Sequence, residues 1–148
     1  MKLNNKGFTL VEVLAVVVIL AILTSIAVPT VGRLITRNRE EGYEKLKTNI
    51  MMAAKNYFSD YRYDISVDTS GSCDGNNQRD VLKIQNHDLN SSKLQIKVLI
   101  EMDYINETIK NPKDNTELNL DNSYVGVKFN CRTKDYDFLI EDSDLIWK

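Results

Sequence analysis

From Phe8 to Val31 the chain carries a single charged side chain, Glu12, and Val13 to Leu23 is apolar without a break. At about 1.5 Å per helical residue, a helix over these 24 positions is about 36 Å long. That is enough to cross a hydrocarbon core of about 30 Å. A polar stretch, Met1 to Gly7, stands in front of it and carries Lys2 and Lys6. A carboxylate within such a run costs on the order of 3 kcal/mol at a bilayer centre, so Glu12 is expected to have a task there.

The stretch Lys6-Gly7-Phe8-Thr9-Leu10-Val11-Glu12 resembles the class III signal of type IV pilins and pseudopilins. Leaders of that family are short and basic and end in Gly; the next residue is Phe, and the fifth residue after the cut is Glu. Here those positions are Lys6, Gly7, Phe8 and Glu12, and Pro29 stands where the family commonly has a proline. The resemblance implies that a prepilin peptidase cuts between Gly7 and Phe8 and methylates the new amino group. It makes Gly7 and Phe8 the processing residues, and Phe8, Glu12 and Pro29 the assembly residues. Beyond the apolar run the similarity is one of layout: helix, loop, small sheet.

Two other readings fit parts of the same stretch. In an ordinary secretory signal, Lys2 and Lys6 would be the basic region and Ser25-Ile26-Ala27 a small-residue cleavage site. Against that stand the length of the apolar run and Glu12 within it. The other is a plain single-pass anchor. Arg33, Arg37 and Arg39 follow the run while Lys2 and Lys6 precede it, so the positive-inside rule fixes no orientation.

The 148 residues carry 19 basic and 21 acidic side chains, a net charge of −2. Loss of Lys2 and Lys6 with a leader would leave 17 against 21, a net of −4. Neither balance provides a whole-molecule positive field for nucleic acid. The residues after the apolar run suffice for one small domain. Residues 1–7 thus read as a leader, 8–31 as a transmembrane or filament-core helix, and 32–148 as a globular domain that includes the second half of the helix. There are two cysteines, Cys73 and Cys131. A domain outside the cytoplasm permits a bridge between them; the alternative is two free thiols, one on a strand.

Pro29 removes a backbone donor, so a kink or local break is expected there, with Thr24 and Ser25 serving the freed carbonyls. Tyr43, Leu46, Ile50, Ala53, Ala54, Tyr57 and Tyr61 recur at three- and four-residue spacing and mark one helical face. One helix from Phe8 to Tyr61 is predicted. Asp64 to Asp80 reads as a polar loop with turn signals at Ser70-Gly71-Ser72 and Asp74-Gly75-Asn76-Asn77. Ser91-Ser92 could cap a helix running to Asp103; the alternation of Leu94, Ile96, Val98 and Ile100 equally suits a strand.

The run from Leu99 through Tyr104-Ile105 to Asn111-Pro112 resembles a segment of Gram-positive pilins in which a short helix ends in a Gly-Tyr-hydrophobic turn. Here Asp103 stands in place of that Gly. Val125, Val127, Phe129 and Cys131 alternate with polar positions, as do Tyr136, Phe138 and Ile140, with a turn at Arg132 to Asp135. Glu117 to Leu120 is predicted as a shorter strand and Leu145-Ile146-Trp147 as an edge. The fold class is α+β: a long N-terminal helix, membrane-spanning in its first half, packed by its second half on a small antiparallel sheet.

His87 is the only histidine and sits in a polar context, read as a solvated loop residue. No catalytic residues, metal site or cofactor are expected, since the sequence has no phosphate loop, nucleophile elbow or paired-Cys zinc spacing. Asp74-Gly75-Asn76 and Asp114 to Asp121 offer oxygen ligands but fit no EF-hand. Arg33, Arg37 and Arg39 with Lys45 and Lys47 form a basic cluster, read as a membrane-flanking set.

The expected function is a type IV pilus subunit. Its implied partners are other pilin subunits, the prepilin peptidase, an assembly ATPase, a membrane platform protein, and lipid before assembly. The alternatives are a pseudopilin of a secretion or competence system, and a membrane-anchored binding domain that never polymerises.

Overall fold

A computed structural model describes residues 8–70, 72–106 and 108–148. The expected leader, with Lys6 and Gly7, and the Gly71 of the first turn signal lie outside the described residues. Helix α1 spans Leu10–Asp60. Its first half is rich in Val and Ile, which in water favour strands. In lipid every backbone group must be satisfied within its own segment, and for a single span that means a helix. The described chain forms two units, one up to Glu40 and the other from Glu41 to Lys148.

The helix is uninterrupted at Pro29, so the expected break is absent. The hydroxyls act elsewhere than predicted. Thr24 Oγ1 donates to the carbonyls of Leu20 and Ala21 at 2.9 and 3.0 Å, and Ser25 Oγ to that of Ile22 at 2.7 Å. Each hydroxyl reaches back to its own preceding turn, whereas the carbonyl freed by Pro29 is that of Ser25 itself.

In the second unit, six strands form one antiparallel sheet among the described residues. They are β1 Ile65–Val67, β2 Gln78–Ile84, β3 His87–Asp88, β4 Lys93–Gln95, β5 Tyr124–Asn130 and β6 Asp135–Leu139. β5 is central. One edge pairs with β6 along its length, Asn130 opposite Asp135 and Gly126 opposite Leu139. The other pairs with β2 at Asn130 to Lys128 and with β4 at Gly126 to Tyr124. Tyr43, Ile50, Ala53, Ala54, Tyr57 and Phe58 of α1 are buried, with Val81, Ile84, Leu94, Val125, Val127 and Ile140 in the same core. The helical stripe was legible apart from Phe58, whose ring packs on Tyr136 and Phe138, each centroid 5.3 Å away.

Several sequence expectations need correction. The segment Asp64 to Asp80 is not all loop, because β1 and the start of β2 lie within it. The stretch after Ser92 is strand and then helix: β4 ends at Gln95 and α2 spans Ile96–Glu101. Ser92 caps nothing; it is buried, donates to Asp80 Oδ1 at 2.6 Å and accepts the Val81 N–H at 3.0 Å. Glu117 to Leu120 makes only isolated bridges, Glu117 with Lys110 and Leu118 with Trp147. His87 is half-buried on β3, its Nδ1 3.2 Å from Tyr57 Oη. Opposite a buried tyrosine hydroxyl, a polar neighbour satisfies what would otherwise be an orphan.

Asp103 occupies the left-handed region, φ 60°, where the similar Gram-positive segment has Gly. Asp103 N–H donates to Ile100 O at 3.0 Å and Tyr104 N–H to Leu99 O at 2.8 Å. That is a Schellman ending for α2; Asp tolerates this conformation better than most side chains.

Candidate processing and assembly site

Phe8 and Thr9 precede α1, so the residue expected at a new amino terminus stands just outside the helix. Thr9 is the N-cap residue. Its N–H and its hydroxyl each donate to Glu12 Oε2 at 2.8 Å, and Glu12 N–H donates to Thr9 Oγ1 at 3.3 Å. This is a capping box: the first threonine and the acid three residues on satisfy each other's backbone donors. The negative side chain also sits at the positive end of the helix dipole. Among the described residues, Glu12 Oε1 accepts no hydrogen bond.

The flank of this site is apolar and uncovered. Phe8 is 86 % exposed, Leu14 63 % and Val28 70 %, and the pattern continues to Ile35. α1 is long and apolar enough to cross a membrane. A contiguous apolar surface of this length on a water-exposed element marks a membrane or protein interface. Pro29 lies inside this segment. The basic cluster divides: Arg33 and Arg39 follow the apolar run, whereas Lys47 is drawn into the second unit, 3.1 Å from both Glu44 and Asp142.

Residues 2–28 match a family described as the prokaryotic N-terminal methylation motif. The chain carries a class III prepilin signal. Such signals are typical of type IV pilins and pseudopilins, and at that level the chain is type IV pilin-like, in signal and in α+β fold. No curated protein and no solved structure matches it. The signal places Gly7, outside the described residues, and Phe8 within the matched region, along with Glu12. A prepilin signal implies a prepilin peptidase and assembly with other subunits.

The second unit of the chain is tied by a disulfide between Cys73 and Cys131, Cα atoms 6.5 Å apart. It joins the loop between β1 and β2 to the end of β5. The acidic turns use their carboxylates on their own chain. Asp74 Oδ1 accepts the Asn76 and Gln78 N–H groups at 2.9 and 2.7 Å, and Asp114 Oδ1 accepts from the Thr116 N–H and hydroxyl at 3.0 and 2.6 Å. Among the described residues no three metal-ligating side chains gather at one point.

Two further features of the unit were not foreseen. The Lys128 ammonium and the Ser92 hydroxyl hold the Asp80 carboxyl below its usual range. Tyr104 Oη donates to Asp60 at 2.5 Å, which pushes its pKa up to about 12. Both pairs link residues far apart in sequence, and no local pattern announces them.

Proposed function

We propose that the chain is a structural subunit of a type IV pilus, cut between Gly7 and Phe8 and assembled through α1. The observation that carries this reading is the methylation motif ending in a self-capped, uncovered apolar helix. Before assembly, lipid covers the apolar run. In the filament, the same run of neighbouring subunits replaces lipid, and a head-to-tail contact that does not close yields a polymer.

Glu12 then needs a partner, since burial leaves its charge uncompensated. Its Oε2 is held by Thr9, and the new amino group of Phe8 on a neighbouring subunit is the cation this reading assigns to Oε1. At 4 Å and an effective dielectric of about 20 the attraction is about 4 kcal/mol before desolvation. Burying both charges costs several kcal/mol, so the net gain is small. A wrong register would strand both charges, and the pair therefore selects register.

On this reading the chain is not an enzyme and holds no metal or cofactor. An assembly ATPase and a membrane platform protein complete the machine. Intact-mass measurement tests the first step: the mature protein should begin at Phe8 and be one methyl group heavier than the unmodified chain. A mature terminus at Val28 would establish secretory processing instead. Sheared surface fractions should contain the chain in filaments. Processed protein that stays in the membrane, in cells that export or take up macromolecules only when it is present, would favour a pseudopilin.

A further inference from the structure

The last turns of α1, the turn after it and the β5–β6 hairpin enclose a cleft of about 410 Å³. Its polar wall is Lys55, Ser59, Arg62, Thr133, Lys134 and Asp135. Three of these are cations, and all three are exposed. Among the described residues, none of Lys55, Arg62 and Lys134 forms an ion pair. Elsewhere in the unit Lys47, Lys93 and Lys97 each have a carboxylate within 3.1 Å. The one acid in the wall, Asp135, accepts the Tyr136 N–H at 2.9 Å. Asp60, beside Ser59, takes the Tyr104 hydroxyl. A cleft with this excess of cations, on a chain of net charge −2, is complementary to an anion.

The floor narrows the choice. Phe58 is 2 % exposed, and its ring is taken by Tyr136 and Phe138. The three rings of the floor, Phe58 buried and Tyr136 and Phe138 half-buried, are packed on one another, whereas single-strand nucleic-acid sites present open ring faces for bases to stack on. The wall instead sets the Ser59 and Thr133 hydroxyls beside the cations, a match for a ligand that carries hydroxyls as well as charges. The volume lies near the lower end of the roughly 300–1,000 Å³ of small-ligand sites. That admits a short run of sugar rings and not a folded partner.

We propose that this cleft binds an acidic polysaccharide, its carboxylate or sulfate groups held by Lys55, Arg62 and Lys134. The proposal concerns the globular unit and is independent of processing and polymerisation.

The test uses the full chain in neutral detergent micelles and a fluorescent heparin octasaccharide, followed by anisotropy. The probe should bind, and binding should fall with added salt. The variant K55Q/R62Q/K134Q should bind about tenfold more weakly. A charge-matched variant elsewhere, K45Q/K110Q/K148Q, should change affinity by less than about twofold, because it removes the same charge away from the cleft. Asp135→Asn should tighten binding. Neutral dextran should not compete. The proposal is overturned if the probe does not bind, if both triple variants weaken it equally, or if dextran competes as well as heparin. Tighter binding of oligothymidylate or polyglutamate than of the octasaccharide would also overturn it, reassigning the cleft to nucleic acid or to an acidic peptide. Thermal melts of each variant should match the parent, since all the substituted cations are exposed.

Discussion

Thr9 and Glu12 cap one another: Glu12 Oε2 accepts both the hydroxyl and the N–H of Thr9 at 2.8 Å, and Thr9 Oγ1 accepts the Glu12 N–H. Under the proposed function the same carboxylate would have two separable roles, a hydrogen-bonding one at its own helix end and a charged one toward a neighbour. Glutamine can accept the same hydrogen bonds and loses only the charge at the positive end of the helix dipole. Glu12→Ala should leave insertion and leader cleavage intact and abolish incorporation into filaments. Glu12→Gln should fail as Ala does if charge selects register, and Thr9→Val should cost the helix end about 1 kcal/mol without abolishing assembly. The comparison is processed protein in membranes against protein in sheared filaments, in a strain with no other copy. Wild-type incorporation of Glu12→Gln would reduce Glu12 to a cap.

The Cys73–Cys131 bridge closes a loop of 58 residues. In a chain-entropy treatment such a crosslink contributes about 4 kcal/mol. Reduction, or the double substitution to Ser, should lower Tm by about 10–20 °C. Thiol labelling of the native, unreduced protein should find no reactive sulfhydryl. A melting temperature unmoved by reduction would show that the core alone holds the unit.

Asp144 is buried and meets Lys93 Nζ at 2.6 Å, while its second oxygen accepts the Glu141 N–H at 3.0 Å. Removing Lys93 leaves a buried carboxylate short of its counterion, and such losses cost up to about 3–5 kcal/mol when full. Lys93 is half exposed, so water will take part of its place. Lys93→Met should therefore destabilise the fold by about 1–2 kcal/mol, and Lys93→Met with Asp144→Asn by less. A double-mutant cycle in urea measures the coupling; a zero coupling energy would refute it.

The carboxyls of Asp80 and Asp142 titrate below their ordinary range in the folded state, held down by Lys128 and Lys47 respectively. Their contribution is present above the unfolded carboxyl value of about 3.9 and is lost as pH falls through the folded value. Stability should thus stay level through neutral pH and drop below about pH 4, less steeply in Asp80→Asn. Tyr104 behaves oppositely. Its folded pKa is raised to about 12, so its contribution is present below about pH 10 and is lost as pH rises to about 12. Tyr104→Phe should remove that alkaline loss and the latest tyrosinate step in an absorbance titration.

The parts of the fold that were legible in the sequence are those governed by local periodicity. The α1 stripe and the alternation in β5 and β6 each bury one face, and burial writes itself into spacing. β1 was missed because three residues, Ile65 to Val67, are too few to show a period, and its pairing partner lies beyond an intervening loop. The Ser91–Asp103 stretch carried both patterns because it holds both structures, with Gln95 at the junction. Ser92 looked like a cap, since a serine before an apolar run is the usual signal, but its true partners sit on β2. In the candidate site, Glu12 was marked by its cost. Thr9 was not singled out, although threonine three residues before glutamate is itself a capping signature.

The disulfide has a mechanical side. A subunit of a filament under tension is loaded through its backbone, and a head that tears open lengthens by the chain it releases. The 58-residue loop between Cys73 and Cys131 would yield about 200 Å of extended chain if it were open. Closed by a covalent bond, that length cannot be drawn out at any force that leaves the bond intact. Only the chain outside the loop can pay out, so in a filament of the proposed kind the crosslink would limit how far one failed subunit could lengthen the fibre.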